Sequence, residues 1–389
     1  LVTLYTSSPS AVKAGCVVSH PASAPLVGFA KLPAVVVANV ESFFLNKFTV
    51  FTAIFISSLS SYFLNDYINN INSYFANADS IRYPYYDEFK DFIIKYNKSY
   101  TSTSEFWSKY HIYVENYGRI NQTNLQGHRT FKLAMNQFGD LSNSQFRKYY
   151  YGLGNFSEHK YNNYSYKTFN SSKSIPDNLD WRSEGLVTNI KDQGQCGSCW
   201  AFSAVGTMEG AHAKADGNLV SLSEQNLVDC VTDDYGCGGG WPSDAIQYVI
   251  RNHGIDKESS YPYTAMDGVD CNFTVDGLGA KMSGLINVAP NDTQLLHAVA
   301  EIGPISVAIA AEDDFQFYSS GIFTSTDCEG ADLDHAVLVV GYGISEKGHK
   351  YYIVKNSWGT SWGMDGYIYY SRDIPDMCGI ASHTCYAEV

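Results

Sequence analysis

Residues 191–200 read KDQGQCGSCW and place two cysteines, Cys196 and Cys199, three positions apart. A Cys-x-x-Cys pair is typical of half a zinc site, of a dithiol redox pair, or of a structural cysteine beside a nucleophilic one. A structural zinc site needs a second ligand pair of similar spacing, but Cys230 and Cys237 stand seven apart and no His-x3–5-His follows. A thioredoxin-like βαβ context is also missing. The pattern therefore favours one nucleophile beside one bridged cysteine.

The residues after this motif suit a thiolate nucleophile. The run CWAFSAVGTMEGAHAK, from Cys199 to Lys214, is small and apolar on most faces and predicts a buried helix that stops at Gly217. A helix N-terminus and a nearby imidazolium both lower a thiol pKa. The nucleophile also needs a base, a group that orients the base, and donors for the oxyanion. LDHAVLVVGYG supplies His335 at the head of a predicted strand, and KNSWGTSWG supplies Asn356 at the end of another.

Three sequence blocks together, QGQCGSCWAFS, LDHAVLVVGYG and KNSWGTSWG, resemble the papain family of cysteine proteases in order and spacing. The resemblance covers residues 175–389 and implies an α+β fold in which a cleft separates a helical subdomain from a β-barrel-like subdomain. The chain agrees with this order, because the β-rich runs ISVAIA, AVLVVGYG, YYIVKNSW and GYIYY follow the predicted helix. No cofactor or metal is implied.

The resemblance assigns catalytic roles. It implies that Cys199 is the nucleophile, His335 its general base and acid, and Asn356 the residue that orients the imidazole. Gln193 matches the side-chain donor to the oxyanion and acts with the backbone N–H of Cys199. Trp358 matches the indole that shields the His–Asn hydrogen bond from water.

The resemblance also implies a substrate cleft. Gly239 and Gly240 would pair with the substrate backbone, which suits residues that lack Cβ. A mostly apolar pocket predicts an apolar residue two before the scissile bond. His383 is a departure: it would shorten the pocket and, when protonated, reject Lys and Arg, or else turn to solvent. Because no long insertion separates Trp241 from Tyr261, an endopeptidase is expected. The matched substrate-binding residues are Gly239, Gly240, Trp241, Pro242, Ala308, Leu333, Asp334, Ala336, Trp358 and His383.

The family's disulfide pattern fits six of the nine cysteines. It implies the pairs Cys196–Cys237, Cys230–Cys271 and Cys328–Cys378. Cys16, Cys199 and Cys385 are left unpaired. For Cys385 we expect a buried thiol, with an intermolecular disulfide as the alternative.

Residues 86–147 are predicted to be helical and resemble the inhibitory propeptide of cathepsin L-like proteases. Residues 105–124 place six matching residues on one helix face: Glu105, Lys109, Tyr113, Asn116, Ile120 and Asn124. Lys109 and Tyr113 are conservative departures. The segment AMNQFGD, residues 134–140, matches through Asn136, Phe138 and Asp140. Residues 148–174 have little periodicity and predict an exposed, protease-sensitive activation linker before a mature domain at 175–389.

Charge divides the chain in two. Residues 175–389 carry 10 Lys and Arg against 30 Asp and Glu, whereas residues 1–174 carry 16 against 10. An acidic domain without a basic patch argues against nucleic-acid binding. Complementary charge favours docking of the basic half on the acidic half. Because carboxylates titrate near pH 4, we predict autoactivation below about pH 5, with cleavage between Ser174 and Ile175.

The N-terminal region predicts entry into the secretory pathway. Residues 47–64 have too short an apolar core for a spanning helix, which favours a cleaved signal peptide over a retained anchor. Residues 1–46 differ in composition and are interpreted as an uncertain extension, with natural translation starting near Leu45. Cysteine content supports a lysosome, vacuole or extracellular location, as do seven Asn-x-Ser/Thr sequons at Asn97, Asn121, Asn155, Asn163, Asn170, Asn272 and Asn291.

The resulting hypothesis is a monomeric zymogen without a stable membrane anchor that acts on protein and peptide substrates and is inhibited by its own prodomain. One alternative is transpeptidation, in which an amine replaces water. Another is a non-catalytic homologue that acts as a binding or storage protein. A released prodomain that inhibits in trans is compatible with the main function.

Overall fold

The computed structural model describes residues 83–154 and 166–389, all within one structural unit, Ser80–Val389. The predicted extension at 1–46 and the predicted signal peptide at 47–64 lie outside the described residues. Within the described ranges, none of the helices has the length and apolar character required to cross a bilayer.

Three helices come first: α1 (Tyr86–Lys95), α2 (Thr103–Leu125) and α3 (Asn143–Tyr150). Helix α2 begins where the Ser102 side chain accepts a hydrogen bond from the Glu105 N–H at 3.1 Å. Helices α1 and α2 enclose a cluster of buried aromatic rings. The prediction of helix throughout 86–147 was wrong between α2 and α3, where strand β1 (Phe131–Leu133) and turns occur. That stretch is extended because its backbone pairs with a strand of the C-terminal region.

The helical subdomain is built on α4 (Cys199–Asp216), α5 (Glu224–Cys230) and α6 (Pro242–Arg251). Helix α4 starts at Cys199 as predicted, is buried on most faces, and ends at Gly217, whose φ of 78° is left-handed. It packs between the other helices and the main sheet. This central position fixes the N-terminus of α4 at the boundary between the two subdomains.

The second subdomain is built on a ten-stranded mixed sheet that also includes β1 and a second strand from the N-terminal region, and the α+β class is confirmed. Besides β1, its strands are β2 (Tyr166–Lys167), β3 (Leu179–Asp180), β6 (Gly284–Val288), β7 (Ile305–Ile309), β8 (Tyr318–Phe323), β9 (His335–Ile344), β10 (Lys350–Lys355), β11 (Tyr367–Ser371) and β12 (Thr384–Glu388). Strands β4 (Ile255–Asp256) and β5 (Leu278–Ala280) pair separately, and α7 (Asp292–Glu301) precedes β7. The order is β1-β8-β11-β10-β9-β7-β12-β6-β2, with β3 on β9.

Strand β9 positions the site. It pairs antiparallel with β7, so that Ala308 lies opposite Ala336 and Ile309 opposite His335. Its first nine residues are buried. His335 therefore stands at the sheet end that faces the N-terminus of α4.

The sheet also ties the N-terminal helices to the C-terminal domain. Strand β1 pairs antiparallel with the edge strand β8, with Phe131 opposite Gly321. Gly321 has a φ of 86°, and a Cβ there would overlap the Thr130 carbonyl. Glycine at this position therefore permits the close approach of β1.

Disulfides join Cys196 to Cys237, Cys230 to Cys271 and Cys328 to Cys378, the pairs that the family pattern implies. Among the described residues the free cysteines are Cys199 and Cys385, both buried. Burial of the Cys385 thiol in β12 disfavours the alternative of an intermolecular disulfide.

Candidate active site

Cys199 lies at the N-terminus of α4, fully buried at the junction of the two subdomains. Its Sγ accepts a hydrogen bond from the backbone N–H of Ala336 at 3.4 Å. Ala336 follows His335 in β9, so this contact brings the predicted nucleophile and the predicted base side by side.

His335 is held by two neighbours in the loop after β10. Its Nε2 lies 2.9 Å from Asn356 Oδ1, and its ring stacks on the Trp358 indole with centroids 4.7 Å apart. The Nδ1 atom is buried and has no hydrogen-bond partner among the described residues. The imidazole is thus oriented through one nitrogen, and the other remains for proton transfer.

Gln193 is oriented by Trp358, which the sequence motif predicted to lie at the site, and by Ser357, which it did not. Its Oε1 accepts hydrogen bonds from Ser357 Oγ at 2.7 Å and from Trp358 Nε1 at 3.1 Å. This fixes the amide so that Nε2 points into the cleft, where it donates to the Tyr150 carbonyl at 3.1 Å and to the Cys196 carbonyl at 2.8 Å. Ser357 lies next to Asn356 inside the KNSWGTSWG block, and that adjacency was the available signal.

The cleft is occupied by residues 150–154, which we call the cleft segment. Gly240 N–H donates to the Gly152 carbonyl at 3.0 Å, and Gly154 N–H donates to the Gly240 carbonyl at 3.1 Å. Leu153 N–H donates to the Asp334 carbonyl at 3.2 Å. The interpretation of 148–174 as exposed throughout was therefore wrong for residues 150–152, which are buried because their backbone fills the cleft.

Gly152 passes directly over the site. A Cβ on Gly152 would overlap the carbonyl group of Gly197. The backbone N–H of Gly152 is also among the hydrogen-bond donors to the Cys199 thiol. Only a residue without a side chain fits this path, and the motif YYGLGN contained that signal.

Burial shifts the pKa values of Cys199 and His335 in opposite directions. Desolvation raises the pKa of the Cys199 thiol to about 12, although backbone N–H groups of Ala336, Gly152 and Trp200 partly offset it. Desolvation lowers the pKa of His335 to about 4, and the hydrogen bond that His335 Nε2–H donates to Asn356 Oδ1 opposes this shift. Both shifts favour the neutral thiol and imidazole over the thiolate and imidazolium expected from the helix terminus, because the docked cleft segment helps to desolvate both groups.

The residues predicted to form the specificity pocket lie near the cleft segment, where the Trp241 indole approaches Gly154. Trp241, Pro242, Ala308 and Ala336 are buried, whereas Leu333 and His383 are half-buried. The His383 ring meets the Trp241 indole edge to face with centroids 5.6 Å apart, and the His383 carbonyl accepts from Ala308 N–H at 3.0 Å. The structure thus brings these residues together. Gly239, in contrast, makes no backbone hydrogen bond to the cleft segment, and Gly240 makes two.

The predicted prodomain motif holds the segment that leads into the cleft. Lys109 Nζ donates to the Asp140 carbonyl at 3.0 Å, and Asn116 Nδ2 donates to the carbonyls of Gly139 and Leu141 at 2.9 and 3.0 Å. Asn124 Nδ2 donates to the Leu133 carbonyl at 2.8 Å. Tyr113 and Ile120 are buried, and Glu105 accepts from Thr101 N–H at 2.7 Å near the helix start.

Residues 134–140 contact both the C-terminal domain and the N-terminal helices. Asn136 Nδ2 donates to the Gln316 carbonyl at 2.8 Å. Phe138 meets the Trp358 indole edge to face at 5.9 Å. Asp140 accepts from Lys98 Nζ at 3.0 Å and Tyr100 Oη at 3.1 Å. These contacts anchor the N-terminal helices over Trp358, whose indole stacks on the His335 ring.

Three arginines of the N-terminal helices and β1 region face acidic residues of the C-terminal domain. Arg147 lies 2.6 Å from Asp334, Arg129 lies 2.9 Å from Asp314, and Arg119 lies 4.0 Å from Asp313. Burial raises the pKa of Asp334 to about 6 and that of the neighbouring Glu312 to about 7. The charge complementarity inferred from composition is thus concentrated in ion pairs at this boundary.

Known proteins with the same arrangement are numerous. Residues 175–388 match the model of the papain family cysteine proteases, and residues 89–146 match that of the cathepsin propeptide inhibitor domain I29. Cathepsin L1 of Drosophila melanogaster is 42% identical over 317 residues, which are 78% of this chain and 85% of that protein. Digestive cysteine proteinase 3 of Homarus americanus is 45% identical over 314 residues, covering 79% and 95%.

A solved structure, that of digestive procathepsin L 3 from Tenebrio molitor larval midgut, superposes with a TM-score of 0.72 at 39% identity, covering 79% of this chain and 99% of that chain. The likeness spans both the inhibitory segment and the protease. The chain therefore belongs to the papain family of cysteine proteases and is a protease zymogen that carries its own cathepsin-type propeptide inhibitor.

Proposed function

We propose that the mature domain is an endopeptidase in which Cys199, His335 and Asn356 hydrolyse peptide bonds. Cys199 Sγ attacks the peptide carbonyl carbon, and its proton passes to His335 Nδ1. The leaving amine takes that proton as the C–N bond breaks and a thioester forms. Water, deprotonated by His335, then releases the acid and restores the thiol. No metal or cofactor enters the scheme.

The observation that carries this proposal is the hydrogen bond of 2.9 Å between His335 Nε2 and Asn356 Oδ1. It fixes the ring so that Nδ1 is the nitrogen left to exchange a proton with Cys199. Gln193 Nε2 and the Cys199 N–H then donate hydrogen bonds to the oxyanion. In the zymogen, Gln193 Nε2 donates to the Tyr150 carbonyl at 3.1 Å. This carbonyl oxygen takes the place of a substrate oxygen at the Gln193 donor.

Inhibition follows from the path of the cleft segment. Leu153 and Gly240 are bridged in parallel, and Gly152 fills the space over Cys199. The segment blocks the cleft and, by excluding water, keeps thiol and imidazole neutral. We propose the domain limits 86–147 for the prodomain, 148–174 for the linker and 175–389 for the mature protease, with release after cleavage between Ser174 and Ile175.

For specificity we propose an apolar residue two before the scissile bond. The buried surfaces of Trp241, Ala308 and Ala336 support this preference. His383, packed on Trp241, would narrow the pocket and carry a positive charge in acid. Peptide libraries at pH 5 and pH 7 with wild type and His383→Ala test this role, and identical profiles would remove it.

The protein's setting is also proposed: a secretory-pathway monomer delivered to a lysosome or vacuole or to the exterior, acting on protein and peptide substrates. The three disulfides favour an oxidising compartment. Five sequon asparagines, at Asn97, Asn121, Asn170, Asn272 and Asn291, are exposed. A mobility shift of the secreted protein on removal of N-linked glycans tests this placement, and an unglycosylated protein with reduced cysteines would contradict it.

A direct test of the catalytic assignment compares Asn356→Ala with Asn356→Gln in the processed enzyme. The alanine variant should lose kcat at least about tenfold, since one hydrogen bond to a buried group is worth about 1–3 kcal/mol. Unchanged kcat in Asn356→Ala would contradict the orienting role.

A further inference from the structure

The two proposed oxyanion donors stand at the ends of residues 193–199, which we call the oxyanion loop. One end carries the Gln193 side chain, and the other end is the Cys199 N–H at the start of α4. Tyr263, from the loop after β4, contacts the loop near both ends. Its Oη donates to the Gln193 carbonyl at 2.8 Å and lies 2.6 Å from Ser198 Oγ. Tyr263 therefore bridges the chain between the two donors.

The direction of both hydrogen bonds follows from the chemistry of the groups. A backbone carbonyl oxygen only accepts, so the phenol proton of Tyr263 goes to the Gln193 carbonyl. The Tyr263 oxygen is then the acceptor in the contact with Ser198, whose hydroxyl is the donor. The result is a one-way chain from Ser198 Oγ–H through Tyr263 Oη–H to the Gln193 carbonyl.

Burial makes this chain important for the loop. Gln193 and Ser198 are both fully buried, so their polar groups need partners within the protein. Ser198 is the N-cap of α4, where a serine side chain usually accepts from a helix N–H. Within the described chain it caps no helix N–H, and its alternative acceptor, the Cys196 carbonyl, lies 3.5 Å away. The Ser198 hydroxyl therefore makes its short hydrogen bond to Tyr263.

Tyr263 is itself held firmly by the helical subdomain. Its N–H donates to Glu258 Oε1 at 2.9 Å, and its ring meets Phe202 of α4 edge to face with centroids 4.9 Å apart. The next residue, Thr264, donates its N–H to Gln225 Oε1 of α5 at 2.9 Å. All these residues belong to the proposed mature domain, so we expect the arrangement to persist when the prodomain leaves.

We propose that Tyr263 is a positioning residue for peptide hydrolysis: it fixes Gln193 relative to the Cys199 N–H, so that both donors meet the oxyanion. This inference rests on the proposed function. Because the oxyanion develops only after substrate binding, loss of the phenol should lower kcat and leave KM nearly unchanged. Complete loss of an oxyanion donor costs about a hundredfold or more. Loss of Tyr263 Oη leaves both donors present but less firmly placed, so we expect about a tenfold loss.

The first test measures kcat and KM of processed Tyr263→Phe on a quenched fluorescent peptide. Tyr261→Phe is the matched control, because Tyr261 Oη donates to Asp229 at 2.7 Å instead of to the oxyanion loop. We expect kcat to fall about tenfold in Tyr263→Phe and both constants to stay at wild-type values in Tyr261→Phe. Unchanged kcat in Tyr263→Phe, or a loss confined to KM, would overturn the inference.

A second measurement separates the oxyanion donors from the nucleophile. Dipyridyl disulfide reacts with Cys199 when Sγ attacks a disulfide sulfur, the S–S bond breaks and pyridinethione leaves, so that no oxyanion forms. We expect Tyr263→Phe and wild type to react at equal rates, which would also show that the variant keeps a folded active site. A rate that falls in parallel with kcat would show that Tyr263 supports the nucleophile instead, and would overturn the assignment.

The double variant Ser198→Ala with Tyr263→Phe tests the one-way chain. Since Ser198 acts through Tyr263, the double variant should lose no more kcat than Tyr263→Phe alone. Losses that multiply would contradict the chain. A wild-type enzyme that hydrolyses no peptide would overturn the proposed function as well, whereas hydrolysis that Tyr263→Phe leaves intact would overturn this inference alone.

Discussion

Gly152 of the cleft segment lies against the backbone of Gly197, with so little space that a Cβ on Gly152 would overlap the Gly197 carbonyl group. The inhibitor therefore crosses the nucleophile at a point where only glycine fits. Any side chain there must push the segment out of the cleft or distort it, at a cost of about 1–3 kcal/mol.

Gly152→Ala should open the zymogen. The rate at which a peptidyl epoxide labels Cys199 in unprocessed proenzyme at pH 7 measures the fraction of open molecules. We expect this rate to rise at least about tenfold in Gly152→Ala. Gly127→Ala is the matched control, because nothing lies within 4 Å of a Cβ at Gly127. Equal labelling of the two variants would contradict the close contact between Gly152 and Gly197.

Arg147→Gln should also loosen the prodomain, because Arg147 pairs with Asp334 at 2.6 Å. Partial exposure of the arginine limits the expected loss to about 1–2 kcal/mol, or roughly tenfold in the opening rate. Lys148→Gln removes the same charge from an exposed neighbour that forms no ion pair among the described residues, so it should change little.

The effect of Arg147→Gln has a defined pH dependence. In the docked protein the pKa of Asp334 is raised by burial to about 6, and the nearby Arg147 holds it below the value it would otherwise reach. The pair therefore stabilises docking fully well above pH 6, and its contribution is lost as pH falls through 6. Opening rates of wild type and Arg147→Gln should converge near pH 5. A difference that grows in acid would contradict this assignment.

Alkylation should distinguish zymogen from mature enzyme. Burial raises the pKa of the Cys199 thiol in the zymogen to about 12, so that very little of it is thiolate at pH 7. Iodoacetamide should react slowly between pH 6 and 8 until the prodomain is removed, and much faster afterwards. Cys385, which burial also gives a pKa of about 12, is an internal control that should stay slow in both forms. Equal Cys199 rates before and after processing would contradict the desolvation argument.

Ser357→Ala tests the support of the oxyanion donor. Without Ser357 Oγ, Gln193 Oε1 keeps only Trp358 Nε1 as a donor. We expect kcat to fall about tenfold with little change in KM, because the donor acts on the transition state. Ser361→Ala, at an exposed serine of the same loop, should leave both constants unchanged. A loss confined to KM would show that Ser357 serves substrate binding instead.

The sequence predicted what short motifs encode. The start of α4 at Cys199, the approach of His335 and Asn356, and the helix face from Lys109 to Asn124 all follow from local spacing and family resemblance. Strand β1 was not predicted, because a strand of three residues is too short to show a periodic pattern. Its pairing with β8 is a tertiary contact, which local sequence does not encode. The path of the cleft segment was missed for the same reason.

Protonation could not be predicted from the motif either. Cys199 stands at a helix N-terminus, which lowers a thiol pKa, yet residues 150–152 desolvate it. These residues are about fifty positions earlier in the chain. The sequence near Cys199 therefore does not indicate that they cover its thiol. The ion pair of Arg147 with Asp334 is likewise set by docking; the charge totals showed the sign of the attraction but not its location.

The most direct test of the central claim is labelling of acid-processed protein with a peptidyl epoxide or vinyl sulfone, followed by mass mapping. We expect an adduct on Cys199 that requires removal of the prodomain and is lost in His335→Ala. Labelling at another residue, or no labelling after complete processing, would contradict it and favour a non-catalytic binding protein.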